Sequence, residues 1–231
     1  SSDNSPRAMA LQRAAVEEFG LVDGSYYPES SITSEFGLSP LNSETMKQRT
    51  DEETEMNGTL QREFLRIQYD ETQKMFQDMG IQSLSVGRGM NIPSNSPLIK
   101  SIESNKPDWK ENNVGVEQQL TLRPLSSWAT KSWEAMKFAT PTEDSESIFA
   151  VANVPAEQVL SLSTTGLGCL PEWEAVLIGA PVNARIFNIP EGVNVENAET
   201  WINDPASYEN DLDFQPDSFD DDEDDDADYQ D

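Results

Sequence analysis

Glu172-Trp173-Glu174-Ala175-Val176-Leu177-Ile178 puts two carboxylates at the head of an apolar run. A short, fully apolar stretch after a turn reads as a buried strand. If the strand includes both acids, their side chains leave the same face about 6–7 Å apart. Paired carboxylates on one rigid element suit chemistry at a sugar carbon, where one stabilises a cationic sugar and the other serves the nucleophile. The bland alternative is a solvated strand end carrying two charges. Arg88 and the Ser126-Ser127-Trp128 segment shift the balance toward chemistry, because they complete an ordered set of Arg, Ser and Glu-x-Glu.

Working outward, Thr164 to Pro171 is a glycine-containing loop feeding this element. Val159-Leu160-Ser161-Leu162 and the alternating stretch from Ile148 to Val154 read as strands. Leu125 to Ala129 is another. Thr130 is a candidate cap for a helix carrying Trp133, Met136 and Phe138 that stops before Pro141. Leu84-Ser85-Val86 forms a short strand ending at Gly87-Arg88-Gly89, and a polar loop follows over roughly 91–118. Upstream, Leu65, Tyr69, Thr72, Phe76 and Met79 recur at helical spacing and stop at Gly80. Thr50 with Glu53 is a candidate capping box for that helix. The segment from Ala184 to Ile189 closes the core.

The fold class expected is α+β. Residues 1–49 read as an N-terminal arm or adaptor, 50–190 as the folded domain, and 191–231 as an acidic, disordered tail.

Composition narrows the chemistry. The chain of 231 residues has no histidine and one cysteine, Cys169. Ser-His-Asp and Cys-His catalysis, ordinary zinc catalysis and a disulfide framework are therefore excluded. Carboxylates, arginine, lysine, tyrosine and hydroxyls remain. The formal charge is −28, and Arg185 is the last basic residue. Such a charge argues against direct nucleic-acid binding through phosphates. No run of about 18 apolar residues exists to span a membrane. The opening Ser1-Ser2-Asp3-Asn4-Ser5 has no basic leader, no apolar signal core and no initiator Met, which reads as a processed or excised product.

Three segments together resemble a known family: Arg88-Gly89, Leu125-Ser126-Ser127-Trp128-Ala129-Thr130 leading to Phe138-Ala139, and Gly166-Leu167-Gly168-Cys169-Leu170-Pro171-Glu172-Trp173-Glu174. They are similar to the Arg-Ser-Glu class of mono-ADP-ribosyltransferases. Val154-Pro155-Ala156-Glu157-Gln158-Val159-Leu160-Ser161 resembles forms found in bacterial toxins and tailed-phage proteins. The resemblance covers roughly 60–190. The family's other large branch uses a histidine on the nicotinamide-side ribose, which this chain lacks.

The resemblance implies N-terminal helices packed on two small, mainly antiparallel sheets, with NAD as substrate. It implies that Arg88 and Gly89 bind NAD with support from Ser127 and Thr130. Ser126 is expected to hold Glu174, Glu174 to stabilise the oxocarbenium ion, and Glu172 to position and deprotonate an acceptor arginine on a target protein. A bacterial host protein is the expected target, with a virion partner as a further possibility. The expected location is the phage virion or the host cytoplasm. No metal or membrane partner is implied. An NAD glycohydrolase, an inactive structural virion protein and an acidic mimic of nucleic acid stay open as alternatives.

Overall fold

The computed structural model describes residues 5–21, 43–112, 115–120, 122–139, 145–166, 168, 170–179 and 181–189. The expected acidic tail, Cys169, Pro141 and residues 22–42 of the expected arm lie outside these.

Helix α1 (Pro6–Phe19) starts with proline in its first turn and Ser5 as its cap, and ends at left-handed Gly20. Helix α2 (Ser43–Met79) runs for 37 residues and stops at Gly80, whose φ is 71°. The glycine stop is as expected. The capping box is not: Thr50 lies inside the helix, its hydroxyl donating back to the Met46 carbonyl at 2.8 Å. The helix begins earlier than hydrophobic periodicity suggests because its first turns are polar on nearly every side.

Strand β1 (Ser83–Pro93) is 11 residues long, so Arg88 sits in its middle rather than at its end. The reason is β4 (Ser145–Pro155), which pairs with it antiparallel along its whole length. The expected loop over 91–118 contains two helices, α3 (Pro97–Asn105) and α4 (Trp109–Asn112), and the start of β2 (Val116–Leu120). Ser96 caps α3 by accepting from the Ile99 N–H at 3.2 Å, and Ile99, Ile102 and Trp109 are buried in the core. A Ser-Pro helix start was the legible signal there.

The remaining strands are β3 (Leu125–Ala129), β5 (Val159–Leu162), β6 (Glu174–Ile178) and β7 (Val182–Asn188), with α5 (Ser132–Met136) after β3. They form one sheet in the order β2-β7-β4-β1-β3-β6-β5, with every pair antiparallel. The protein is thus α+β. One strand order replaces the two expected sheets, yet β1 and β3 are joined by the single residue pair Gly87↔Ala129. Beyond it, β1 continues with β4 while β3 continues with β6. The sheet splits there into a four-strand and a three-strand part.

Buried residues form three clusters, and two of them pack on opposite faces of the β3–β6 pair. Leu84, Val86, Trp128, Ala175 and Leu177 join the main cluster, while Leu125, Leu160, Val176 and Ile178 pack with Ala14, Ala15 and Leu65 of the helices. Helix α1, placed by sequence in the arm, is therefore part of the folded core. Its Gln12 amide also closes the edge of β3 that β1 leaves open: Nε2 donates to the Leu125 carbonyl at 3.0 Å and Oε1 accepts from its N–H at 2.7 Å.

Helix α5 presses on β1 at Gly89, where an added Cβ would lie 2.1 Å from the Ala135 carbonyl oxygen. Backbone cannot yield there as a side-chain tip can. Gly89→Ala is expected to destabilise the protein by about 1–3 kcal/mol, read as a lower urea midpoint with an unchanged m-value.

Candidate functional site

The split in the sheet brings Arg88 and Ser126 together across 38 residues of sequence. The Arg88 Nη1 donates to Ser126 Oγ at 2.5 Å. Ser126 also accepts from the Trp128 indole N–H at 3.2 Å. Its hydroxyl oxygen is thereby held by two donors, on a strand where Ser126 is 3% exposed.

Arg88 is a cation in an unusual setting. Desolvation and, to a smaller degree, the neighbouring positive charge of Arg123 together lower its pKa to about 10. Among the described residues no carboxylate forms an ion pair with it. Desolvating a guanidinium without a countercharge is costly. Two arginines near one another with reduced solvation favour an anion between them. Arg123 was not among the sequence candidates. The available signal was a basic residue in Leu122-Arg123-Pro124, just before the serine strand, in a chain poor in cations.

Strand register decides where the serines point. Ala129 lies opposite Glu174, Ser127 opposite Val176 and Ser126 opposite Leu177. Opposite residues share a face and successive residues alternate. Ser127, Ala129, Glu174 and Val176 therefore share one face, and Ser126, Trp128, Ala175 and Leu177 the other. The two cores agree, since Trp128 and Leu177 belong to the main one and Val176 to the helix-side one. Ser126 thus faces away from Glu174, contrary to the expected bond between them. Ser127 is the serine on the carboxylate's side, diagonal to Glu174 at about 7–8 Å between Cα atoms, within reach of a long side chain.

Glu172 and Glu174 do not share a strand. Glu172 ends a single 3₁₀ turn, Leu170–Glu172, and β6 starts only at Glu174. Between them Trp173 adopts a left-handed backbone with φ 48°, the only positive φ of a non-glycine among the described residues. That turn breaks the two-residue alternation assumed from sequence. A left-handed conformation in a bulky residue persists only when its surroundings hold it. Here Thr130 does so, donating to the Trp173 carbonyl from its N–H at 2.9 Å and from its hydroxyl at 3.1 Å. Thr130 therefore positions the start of β6 instead of offering its hydroxyl to a ligand. Nor does it cap α5, where Lys131 occupies that place. The Lys131 ammonium lies 5.5 Å from the Trp173 ring centre.

Gly89, expected to bind NAD, and its neighbour Gly87 are both covered by protein. Gly89 meets Ala135, and a Cβ at Gly87 would fall 2.8 Å from the Phe149 ring. Their small size serves packing around Arg88. The loop leading to Glu174 is anchored to α2 and β6: Thr165 and Thr72 share a hydrogen bond of 2.8 Å, and Ser163 N–H donates to the Glu174 carbonyl at 2.9 Å.

The arrangement offers a partly desolvated arginine with a second arginine nearby at one end of the split, and a carboxylate on the same face as a serine near its apex. No helix among the described residues is long and apolar enough to cross a membrane. Comparison with protein-family models, curated proteins and solved structures finds no match to this chain.

Proposed function

We propose that the protein is an NAD-dependent mono-ADP-ribosyltransferase that modifies arginine on a target protein, with an ADP-ribosyltransferase-like fold. The observation that carries this reading is the Arg88–Ser126 pair across the split, a half-buried cation without a carboxylate partner among the described residues and near a second arginine. The NAD diphosphate would supply the missing negative charge. A split sheet lets one extended dinucleotide reach groups on both faces, from Arg88 to Glu174 near the Gly87↔Ala129 joint.

In the reaction, the bond between the ribose anomeric carbon and the nicotinamide nitrogen breaks, and its electron pair leaves with nicotinamide. Glu174 stabilises the positive charge left on the ribose, acting more strongly on the transition state than on NAD. Ser127, on the same face, holds the Glu174 rotamer. The acceptor guanidine nitrogen forms the new bond at that carbon and gives its proton to Glu172. Displaced from the strand by the Trp173 turn, Glu172 lies on the loop that would meet the target.

The test is intact-protein mass spectrometry after incubating the protein with NAD and a bacterial lysate. Arginine-linked ADP-ribose, absent with Glu174→Gln, is the expected result. Free ADP-ribose without adducts would replace the transferase by a glycohydrolase, and no NAD turnover would sink both. A paired substitution tests the two serine faces. Ser127→Ala should lower kcat about 10-fold or more with little change in KM for NAD. Ser126→Ala should raise KM for NAD by a similar factor with kcat nearly intact, since bonds to charged groups are worth about 1.5–3 kcal/mol.

A further inference from the structure

Helix α2 has a second apolar stripe that is exposed among the described residues. Its inner face carries buried Leu65, Thr72 and Phe76. On the opposite side Met56, Leu60, Phe64 and Ile67 are 73%, 66%, 41% and 58% exposed. Their spacing of four, four and three residues puts them in one row about 16 Å long. A single exposed leucine means little, but a contiguous row on a rigid helix marks an interaction face.

The rim of this row is acidic. Glu52, Glu63, Asp70 and Glu71 beside it are exposed. The cations within the same stretch turn the other way, where Arg62 pairs with Glu17 and Arg66 with Glu18 of α1. An apolar row flanked by carboxylates complements an apolar row flanked by lysines or arginines. The chain's own charge of −28 would also speed encounter with a basic partner.

A second copy fits poorly. Antiparallel pairing with Met56 against Ile67 would set Glu52 and Glu53 against Glu71 and Asp70, and Arg49 against Lys74. Parallel pairing would set every acid against itself. The chain's segment 22–42 contains Asp23, Glu29 and Glu35 and no lysine or arginine, so it does not supply the complement either.

We propose that the outer face of α2 from Met56 to Ile67 docks a basic amphipathic helix of a partner protein. The site is independent of the NAD reading, and its test needs no NAD. The probe is a fluorescent Leu/Lys amphipathic helical peptide carrying a photo-crosslinker, with a Leu/Glu peptide of the same pattern as control, titrated with the full chain at physiological salt. Wild type should bind the Leu/Lys peptide and not the Leu/Glu one, with crosslinks in residues 56–67. Leu60→Gln with Ile67→Gln should weaken binding about tenfold or more at unchanged circular dichroism. Glu63→Lys with Glu71→Lys should weaken it comparably, without touching the apolar row. Equal affinity in wild type and both variants, or crosslinks only in the acidic tail, would overturn the proposal. So would no binding, or a wild-type dimer that the Leu60/Ile67 variant dissociates.

Discussion

Glu174→Gln is expected to slow nicotinamide release from NAD about 10²–10³-fold while leaving the folded structure and NAD affinity close to wild type. The substitution keeps the size and hydrogen-bonding reach of the side chain and removes its charge. Glu174 lies at the start of β6, only partly buried, so an amide can be accommodated without a large solvation cost. In the proposed reaction the charge would matter at the moment the ribose becomes cationic, and little before. Loss should therefore appear in kcat, with KM nearly constant. A variant that turned over NAD at the wild-type rate would remove Glu174 from the chemistry. A variant that lost rate and affinity equally would make it a binding residue instead.

Arg88→Met separates a ligand-binding arginine from a structural one. Replacing a buried charge by an apolar side chain of similar length is often neutral or stabilising. Arg88 has no carboxylate partner among the described residues and stands beside Arg123, so folding bears the cost of its desolvation. Arg88→Met is expected to keep or raise Tm while weakening NAD or ADP-ribose binding at least tenfold. ADP-ribose should raise Tm of the wild type and not of the variant. A structural arginine would give the reverse, with a lower Tm from loss of the Ser126 bond and unchanged ligand affinity.

The pH dependence follows from the same group. Folding lowers the Arg88 pKa to about 10, below its ordinary value above ~12. Between those values the unfolded chain keeps a proton that the folded protein has shed. Stability from this group therefore rises with pH across that window, and below about pH 10 the folded state bears the full cost of the charge. The stability advantage of Arg88→Met should shrink as pH climbs from 10 toward 12. An advantage that widened over this range would contradict the assignment.

Several elements were legible because their signals are local. The stop of α2 at Gly80 needs only helical spacing and a residue that accepts a positive φ. Strands β3 and β5 came from short apolar stretches between turns, and their bounds match the sequence expectation. Helix α3 was overlooked although Ser96-Pro97 announced it, because a polar composition hid the two isoleucines that bury it. Strand β1 extends past its glycines for a reason no local pattern carries: β4 pairs with it throughout.

The absence of histidine confined any chemistry to carboxylates, arginine and hydroxyls, and this the sequence determined by itself. It also supplied the acidic balance, the helix stops and the order of Arg88, the serines and the glutamates. Tertiary structure alone decided which of these groups meet. Alternation along a strand tells which residues share a face, but the partner strand sets which face that is. A one-residue shift exchanges Ser126 with Ser127. The left-handed turn at Trp173, held by Thr130, takes Glu172 off the strand. Arg88 reaches Ser126, and comes under the influence of Arg123, where β1 and β3 part after one residue pair. Local periodicity is written within a few residues, whereas register and the meeting of charges depend on contacts between segments far apart in the chain.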